Sequence, residues 1–157
     1  MYSLAIMNYL NFNKLQQKFF LFDTFEGIPL EQISETEESL GRVEHNNSQY
    51  FNCYELAKKN FAPFSNAILV KGKVPDTLNQ VNINKVFYLS IDMNIVEPEI
   101  AAGNFFWDKL VSGAIIVLDD YGWLEYFPQK EAWDQFAKEK GVSILNLPTG
   151  QGLIIKP

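Results

Sequence analysis

Apolar residues follow two rhythms along this chain. Phe19–Phe22, Ala67–Val70, Val86–Ile91 and Ala114–Leu118 form short, nearly unbroken runs, the length and composition of strands buried on both faces. Elsewhere the apolar positions recur at helical intervals. Tyr2–Leu15 carries Leu4, Ile6, Met7, Leu10 and Leu15 in this way. A helix from about Gln49 to Phe61, capped by Asn47 or Ser48, places Tyr50, Tyr54, Ala57 and Phe61 on one face. Pro98 suits the first turn of a helix carrying Ile100, Gly103, Trp107, Leu110 and Val111. Pro128 opens another, with Ala132, Trp133, Phe136 and Ala137 inward and Gly141 at its C-cap. Val142–Leu147 and Gly152–Ile155 are joined by Pro-Thr-Gly-Gln, a link too short for anything but an antiparallel hairpin.

Strands alternating with helices predict an α/β fold, with a mostly parallel sheet ending in an antiparallel pair. The segment 30–47 breaks the pattern. It is polar and acidic (Glu31, Glu35, Glu37, Glu38), holds the only histidine, His45, and reads as a mobile surface segment. There are no repeats, low-complexity tracts or interdomain linkers, so residues 1–157 are expected to form a single domain.

Composition narrows the function more than the fold. With 13 basic and 19 acidic residues the formal charge is −6, which argues against a nucleic-acid or anionic-membrane surface. The single Cys53 excludes an internal disulfide or a Cys-based zinc site, fits a reducing compartment, and reads as packing rather than as a nucleophile. No run of about 18 apolar residues is available to span a membrane. Met1–Phe12 lacks the basic start and the cleavage site of a signal peptide, so a cytoplasmic location is expected.

The candidate chemistry lies where the strands end. The first strand stops at Asp23, the third at Asp92 and the fourth at the pair Asp119-Asp120. Parallel strands deliver their carboxyl ends to one edge, where ligands of open α/β sheets bind. A single Asp there is commonly a turn former or cap; the signal is the convergence of three strand ends. Asp92, Asp119 and Asp120, on neighbouring strands, are hard oxygen donors of the kind that hold Mg²⁺. Without a cation their charges would repel and raise one another's pKa. A calcium site or a plain hydrogen-bond network uses the same residues. Asn94 could add a neutral oxygen ligand or a bond to substrate. Asp23 stands where an acid accepts hydrogen bonds from a ribose diol. Tyr121 and Trp123 suit either stacking on a bound ring or core packing. Lys71 reads as a solvated strand end, Lys130 as a helix-surface charge and His45 as a solvated loop residue.

These residues sit in blocks that resemble the macrocin O-methyltransferase (TylF-type) family: Phe22-Asp-Thr-Phe-Glu-Gly-Ile-Pro29, Val70-Lys-Gly-Lys-Val-Pro-Asp-Thr-Leu78, Ile91-Asp-Met-Asn94 with Glu97-Pro98, Ile116-Val-Leu-Asp-Asp-Tyr-Gly122 and Leu147-Pro-Thr-Gly-Gln-Gly152. The blocks occur in the family's order and cover nearly the whole chain from residue 20 onward. The resemblance implies a Rossmann-like class I methyltransferase fold that uses S-adenosylmethionine and Mg²⁺ to methylate a hydroxyl, often on a sugar of a natural product. It implies that Asp92, Asp119 and Asp120 are metal ligands, that Asp92 is also the base and touches the cofactor, and that Asp23 holds the cofactor's ribose. The antiparallel last strand is a habit of the methyltransferase version of the doubly wound fold.

The chain departs from the family's pattern in two respects. The metal strand is commonly written Ile-Asp-x-Asp followed by Tyr; here Asn94 and Val96 occupy those positions. The family's first strand and glycine-rich loop, which hold the methionine end of the cofactor, have no counterpart before residue 19. A C-terminal part of a longer family domain is therefore expected, with exposed strand edges that favour self-association. Two other readings stay open: a non-catalytic domain of the same fold, and a Mg²⁺-dependent sugar-nucleotide enzyme. The absence of a Gly-x-x-x-x-Gly-Lys loop speaks against a P-loop enzyme.

Overall fold

Two parallel strand pairs carry the architecture in the computed structural model, which describes residues 2–157. β1 (Phe19–Asp23) runs parallel to β2 (Ala67–Lys71), in register from Phe19 opposite Ala67 to Asp23 opposite Lys71. β3 (Val86–Ile91) runs parallel to β4 (Leu110–Leu118). β4 then pairs antiparallel with β6 (Gly152–Ile155), and β6 with the two-residue β5 (Leu145–Asn146). The α/β class and the antiparallel C-terminal hairpin are as expected. The single sheet is not: among the described residues the strands divide into β1-β2 and β3-β4-β6-β5. β3 is the outer strand of its sheet, and its Phe87 is 61% exposed.

Among the described residues six helices accompany the strands: α1 (Tyr2–Tyr9), α2 (Glu35–Ser39), α3 (Arg42–Gln49), α4 (Tyr54–Phe61), α5 (Val96–Trp107) and α6 (Phe127–Lys140). α5 and α6 bury Phe106, Trp107, Trp133 and Phe136 in the main core with Ile116, Leu118 and Ile154 of the sheet. The Trp133 and Phe136 rings meet edge to face at 5.0 Å, a geometry aromatic quadrupoles favour. Gly103 lets α6 approach this closely, since a Cβ there would stand 2.7 Å from the Trp133 ring. A smaller cluster of Met7, Phe12 and Phe64 seats α1 beside the β1-β2 pair. Among the described residues no helix is long and apolar enough to cross a membrane.

Three expected elements are corrected. The helix expected over 49–61 is two helices: Asn47 and Ser48 lie inside α3, and α4 starts after Cys53, whose amide donates to the Phe25 carbonyl at 2.8 Å. Leu110 and Val111 keep helical spacing after Trp107 but open β4. β4 therefore starts earlier than the apolar run, and Gly113 sits inside it at φ +81° while the register against β3 shifts between Val86 and Tyr88. Only glycine adopts that φ readily, and β4 takes five steps where β3 takes two, so three extra residues bulge out before the strand reaches its acids. Finally, the segment 30–47 is not a mobile surface segment. It forms a 3₁₀ turn at Leu30–Gln32 followed by α2 and α3, with Gln32, Glu37 and Arg42 buried.

Candidate active site

β1 and β3 end beside one another, and a cavity of about 270 Å³ opens between their carboxyl ends. Asp23, Phe25 and Gly27 line one wall, and Asp92, Met93 and Asn94 the other. That is near the lower end of small-molecule sites, which run from ~300 to 1,000 Å³. Asp23 turns one oxygen inward, where Oδ1 accepts the Phe25 amide at 2.6 Å and shapes the turn after β1. Phe25 is buried with φ at +59°, so the turn holds a conformation that a bulky residue rarely adopts. Asn46 of α3 steadies the next step, its Oδ1 accepting the Ile28 amide at 2.7 Å.

Asp92 on that wall and the Asp119-Asp120 pair, which follows β4 and does not line the cavity, perturb one another. Asp92 is exposed as a residue, yet its carboxyl is crowded by protein; that desolvation, and then the Asp119 charge, push its pKa up. Burial, reinforced by Asp92 and Asp119, pushes Asp120 up to about 7, against a lowering pull from Arg42. Asp120 Oδ2 is buried with no hydrogen-bond partner. Asp119 is held from the C-terminal hairpin, with Gln151 Nε2 donating to its Oδ1 at 3.0 Å. Among the described residues no three His, Cys, Asp or Glu side chains are arranged as a group able to hold a metal ion. By residue type alone the three carboxylates are the hard oxygen donors a divalent cation takes, and one of them has an orphaned buried oxygen.

Asn94 has φ +65° and serves as a junction. Its Nδ2 donates to Asp92 Oδ1 at 3.4 Å, its Oδ1 accepts from the Tyr126 hydroxyl at 3.0 Å, and its carbonyl accepts from Arg42 Nε at 3.2 Å. An Asp at this position would add a fourth charge and have nothing to donate to Asp92. Tyr50, at the end of α3, lines the cavity beside Asp23 and Asp92. Burial, then the charges of Tyr126, Asp92, Asp120 and Asp23, push its phenol up to about 12, so it stays a hydrogen-bond donor. His45 is not a loop residue: it lies in α3 with its ring edge-on to Tyr50 at 5.6 Å.

The loop after β4 is pinned from both sides. Tyr121 is core, 6% exposed, its hydroxyl donating to Asp134; Lys130 Nζ bonds Asp134 at 2.6 Å and Tyr121 at 3.3 Å. Lys130 is thus a fastener of this loop as well as a helix-surface charge. The Gly122 amide donates to the Gly150 carbonyl at 2.6 Å, and Trp123, half exposed, lies against Gly150. Lys71 is a largely exposed strand end with Glu26 at 3.7 Å.

Around the site stand residues that the apolar pattern did not reveal: Arg42, Asn46, Tyr50 and Gln151, with Glu37 accepting the Val96 amide at 2.7 Å and Glu99 of α5 accepting the Met93 amide at 3.3 Å. One local signal was there to be read. Ser34-x-x-Glu37 is a capping box, with both reciprocal bonds formed at the start of α2.

The chain matches the macrocin-O-methyltransferase (TylF) family over residues 3–146, and it belongs to that family. No curated protein sequence matches it. Its fold is that of the O-methyltransferase NovP, with a TM-score of 0.81 at 17% identity over 98% of this chain and 65% of that one. The calicheamicin methyltransferase CalS11 superposes with a TM-score of 0.70 at 16% identity, again over 98% of this chain and 65% of that one. An apo structure of CalS11 describes it as a TDP-rhamnose 3′-O-methyltransferase. The S-adenosylhomocysteine-bound methyltransferase PaMTH1 of Podospora anserina gives a TM-score of 0.57 at 13% identity, over 99% of this chain and 78% of that one. The chain therefore spans 65% of the length of the first two structures.

Proposed function

We propose that this chain carries the acceptor and metal side of an S-adenosylmethionine- and Mg²⁺-dependent O-methyltransferase acting on a hydroxyl of a sugar or small natural product. The observation that carries the reading is the single crevice between Asp23 and Asp92, in a chain of this family. The printed activity of CalS11 on TDP-rhamnose supports a sugar acceptor.

Asp23 keeps Oδ2 free while Oδ1 holds the turn, so it is placed to accept from the two hydroxyls of a ribose. Asp92, Asp119 and Asp120 would hold Mg²⁺, with Gln151 fixing which oxygen of Asp119 turns inward. When bound, Mg²⁺ lowers the pKa of an acceptor hydroxyl and S-adenosylmethionine supplies the methyl group on a sulfonium. Asp92 is the base that takes the hydroxyl proton. Its raised pKa suits it to that task better than an ordinary surface carboxylate. Asn94 holds Asp92 Oδ1 from one side, and the Tyr50 phenol is a donor for an oxygen of the acceptor. The aromatic and aliphatic wall of Phe25, Ile28 and Val74 excludes water from the nucleoside side.

The test is transfer of a radiolabelled methyl group from S-adenosylmethionine to a panel of nucleotide sugars and hydroxylated glycosides, with Mg²⁺ and with EDTA. Calorimetry with S-adenosylhomocysteine runs alongside. Magnesium-dependent transfer supports the reading; absence of both transfer and cofactor binding overturns it. A second reading, a non-catalytic domain of the same fold, is favoured by the lack of a preformed three-ligand group among the described residues. It predicts cofactor binding without transfer.

A further inference from the structure

The link from β3 to α5 has a weak point next to its most important residue. Residues 92–95 leave the strand at Asp92, turn through the left-handed Asn94, and enter α5 at Ile95, whose apolar side chain caps nothing. The first amides of a helix need acceptors from elsewhere. Glu37 Oε1 accepts the Val96 amide at 2.7 Å, while Arg42 and Tyr126 grip Asn94. The backbone step that aims Asp92 itself is the peptide between Asp92 and Met93. Its N–H donates to Glu99 Oε1 at 3.3 Å.

Glu99 is suited to hold it. It lies one turn into α5, is 4% exposed, and its second oxygen accepts the indole N–H of Trp133 at 2.9 Å. Trp133 is 1% exposed and packed against Gly103 and Phe136, so it cannot drift. Both partners are obligate donors. Only a side chain that accepts at both tips satisfies them; an amide would turn one N–H against another. Asp92 and Asp119, which follow the paired strands β3 and β4, repel one another, and without this tether the Asp92 peptide is free to rotate away from its neighbour.

We propose that Glu99 is a positioning residue, which holds the Asp92–Met93 peptide against Trp133 and so keeps the Asp92 carboxylate aimed into the acid crevice. The significance for Mg²⁺ rests on the function proposed above; the tether does not.

Glu99→Gln, Trp133→Phe and the surface control Asp108→Asn, each in the full chain, test this by two measurements. One is Mn²⁺ binding followed by electron paramagnetic resonance, and the other is hydrogen exchange at the Met93 amide by ¹⁵N NMR. Groups that hydrogen-bond around metal ligands typically alter affinity 10–100-fold. Glu99→Gln is expected to weaken Mn²⁺ binding by roughly tenfold or more on that scale, and to speed Met93 exchange. Trp133→Phe should do both to a smaller degree, and Asp108→Asn neither. Unchanged Mn²⁺ affinity and unchanged Met93 exchange in a folded Glu99→Gln protein would overturn the inference. If the unaltered chain binds no Mn²⁺, the metal part of the proposed function falls, and Met93 exchange alone decides: faster supports the tether, equal rules it out. If Glu99→Gln does not fold, Trp133→Phe decides by the same readouts.

Discussion

The guanidinium carbon of Arg42 lies over the ring of Tyr126, 3.7 Å from its centroid. Arg42 comes from α3 and Tyr126 from the turn leading into α6, so the contact joins the segment that covers the crevice to the loop that follows its acids. The guanidinium uses its fork as well: Nε donates to the Asn94 carbonyl, and a terminal nitrogen to the Glu125 carbonyl at 2.6 Å. It is buried without a carboxylate bonded to it, and its charge opposes the rise of the Asp120 pKa. One cation therefore serves as counter-charge for the acid group and as the latch for α3.

Arg42→Lys should fail to replace it, because an ammonium neither stacks as a plane nor reaches two carbonyls at once. A loss of about 1–3 kcal/mol is expected, the scale of broken hydrogen bonds to a charged group. Urea unfolding of the two proteins measures it. Arg42→Ala should lose more and should also weaken S-adenosylhomocysteine binding, since α3 carries Asn46 and Tyr50 to the other wall. Equal stability of Arg42→Lys and the unaltered chain would show that the latch is not Arg42.

Divalent cations should stabilise the fold through the acids rather than through general screening. Added MgCl₂ is expected to raise Tm, by about 2.7 kcal/mol of stability at a hundredfold excess over Kd. NaCl at matched ionic strength should not. Asp92→Asn, Asp119→Asn and Asp120→Asn should each remove most of the magnesium effect. Asp120→Asn alone should raise Tm in EDTA, because it removes a charge whose desolvation Arg42 offsets only in part. Thermal melts with MgCl₂, NaCl and EDTA distinguish these outcomes.

The pH dependence follows from two raised carboxyls. Asp120 stands at about 7 against an ordinary value of 3.8, and Glu99 at about 7 against 4.5, both chiefly through burial. Each binds its proton more tightly in the folded chain than in the unfolded one. The stability they contribute is thus fully present below about pH 4, and it is lost as pH rises through about 7. Without divalent cation, Tm should fall between pH 5 and pH 8 by roughly 3–8 °C, taking about 2–4 °C per kcal/mol for a chain of this size. The slope should flatten in Asp120→Asn, and Mg²⁺ at pH 8 should recover part of the loss. A Tm that climbs over this interval would contradict the assignment.

What could be read from the chain alone was set by the apolar runs. Asp23, Asp92 and Asp119 end or follow apolar runs that do form strands, so the runs located the strand ends and with them the acids. Burial on both faces does not hold for all of them: β1 is only half-buried, and β3 shows Phe87 and Tyr88 to solvent. The segment 30–47 was misread for the converse reason. Its buried residues are polar, and each bonds a partner far along the chain: the Gln32 amide N–H the Val74 carbonyl at 2.8 Å, Glu37 the Val96 amide, Arg42 the Asn94 carbonyl. Periodicity reads such residues as solvated, because burial of a polar group depends on partners that only the tertiary fold supplies. The start of β4 was hidden differently. Leu110 and Val111 continue the helical spacing of α5, and nothing local marks the change until Gly113. Asn94 reads in the sequence as a neutral oxygen ligand or a bond to substrate, whereas in the fold three hydrogen bonds make it the junction of the loop.

The C-terminal hairpin offers the most direct test of how the acids are aimed. Gly122 follows the Asp119-Asp120-Tyr121 turn, and its amide donates to the Gly150 carbonyl. A Cβ at Gly122 would stand 2.9 Å from that carbonyl oxygen and 3.1 Å from the Gly150 Cα. These are backbone atoms, and a rotamer change cannot move them aside. Gly122→Ala should therefore push the Pro148–Gln151 turn away from the acid loop and break the bond from Gln151 to Asp119. Gln151→Ala breaks the same bond while leaving the turn seated. If Gln151 acts by orienting Asp119, both variants should weaken Mn²⁺ binding, whereas only Gly122→Ala should lose stability, by about 1–3 kcal/mol as overpacked sites do. Gln151→Ala with unaltered Mn²⁺ affinity would reduce the hairpin's role to packing, and calorimetric titration of the two proteins with Mn²⁺ separates the cases.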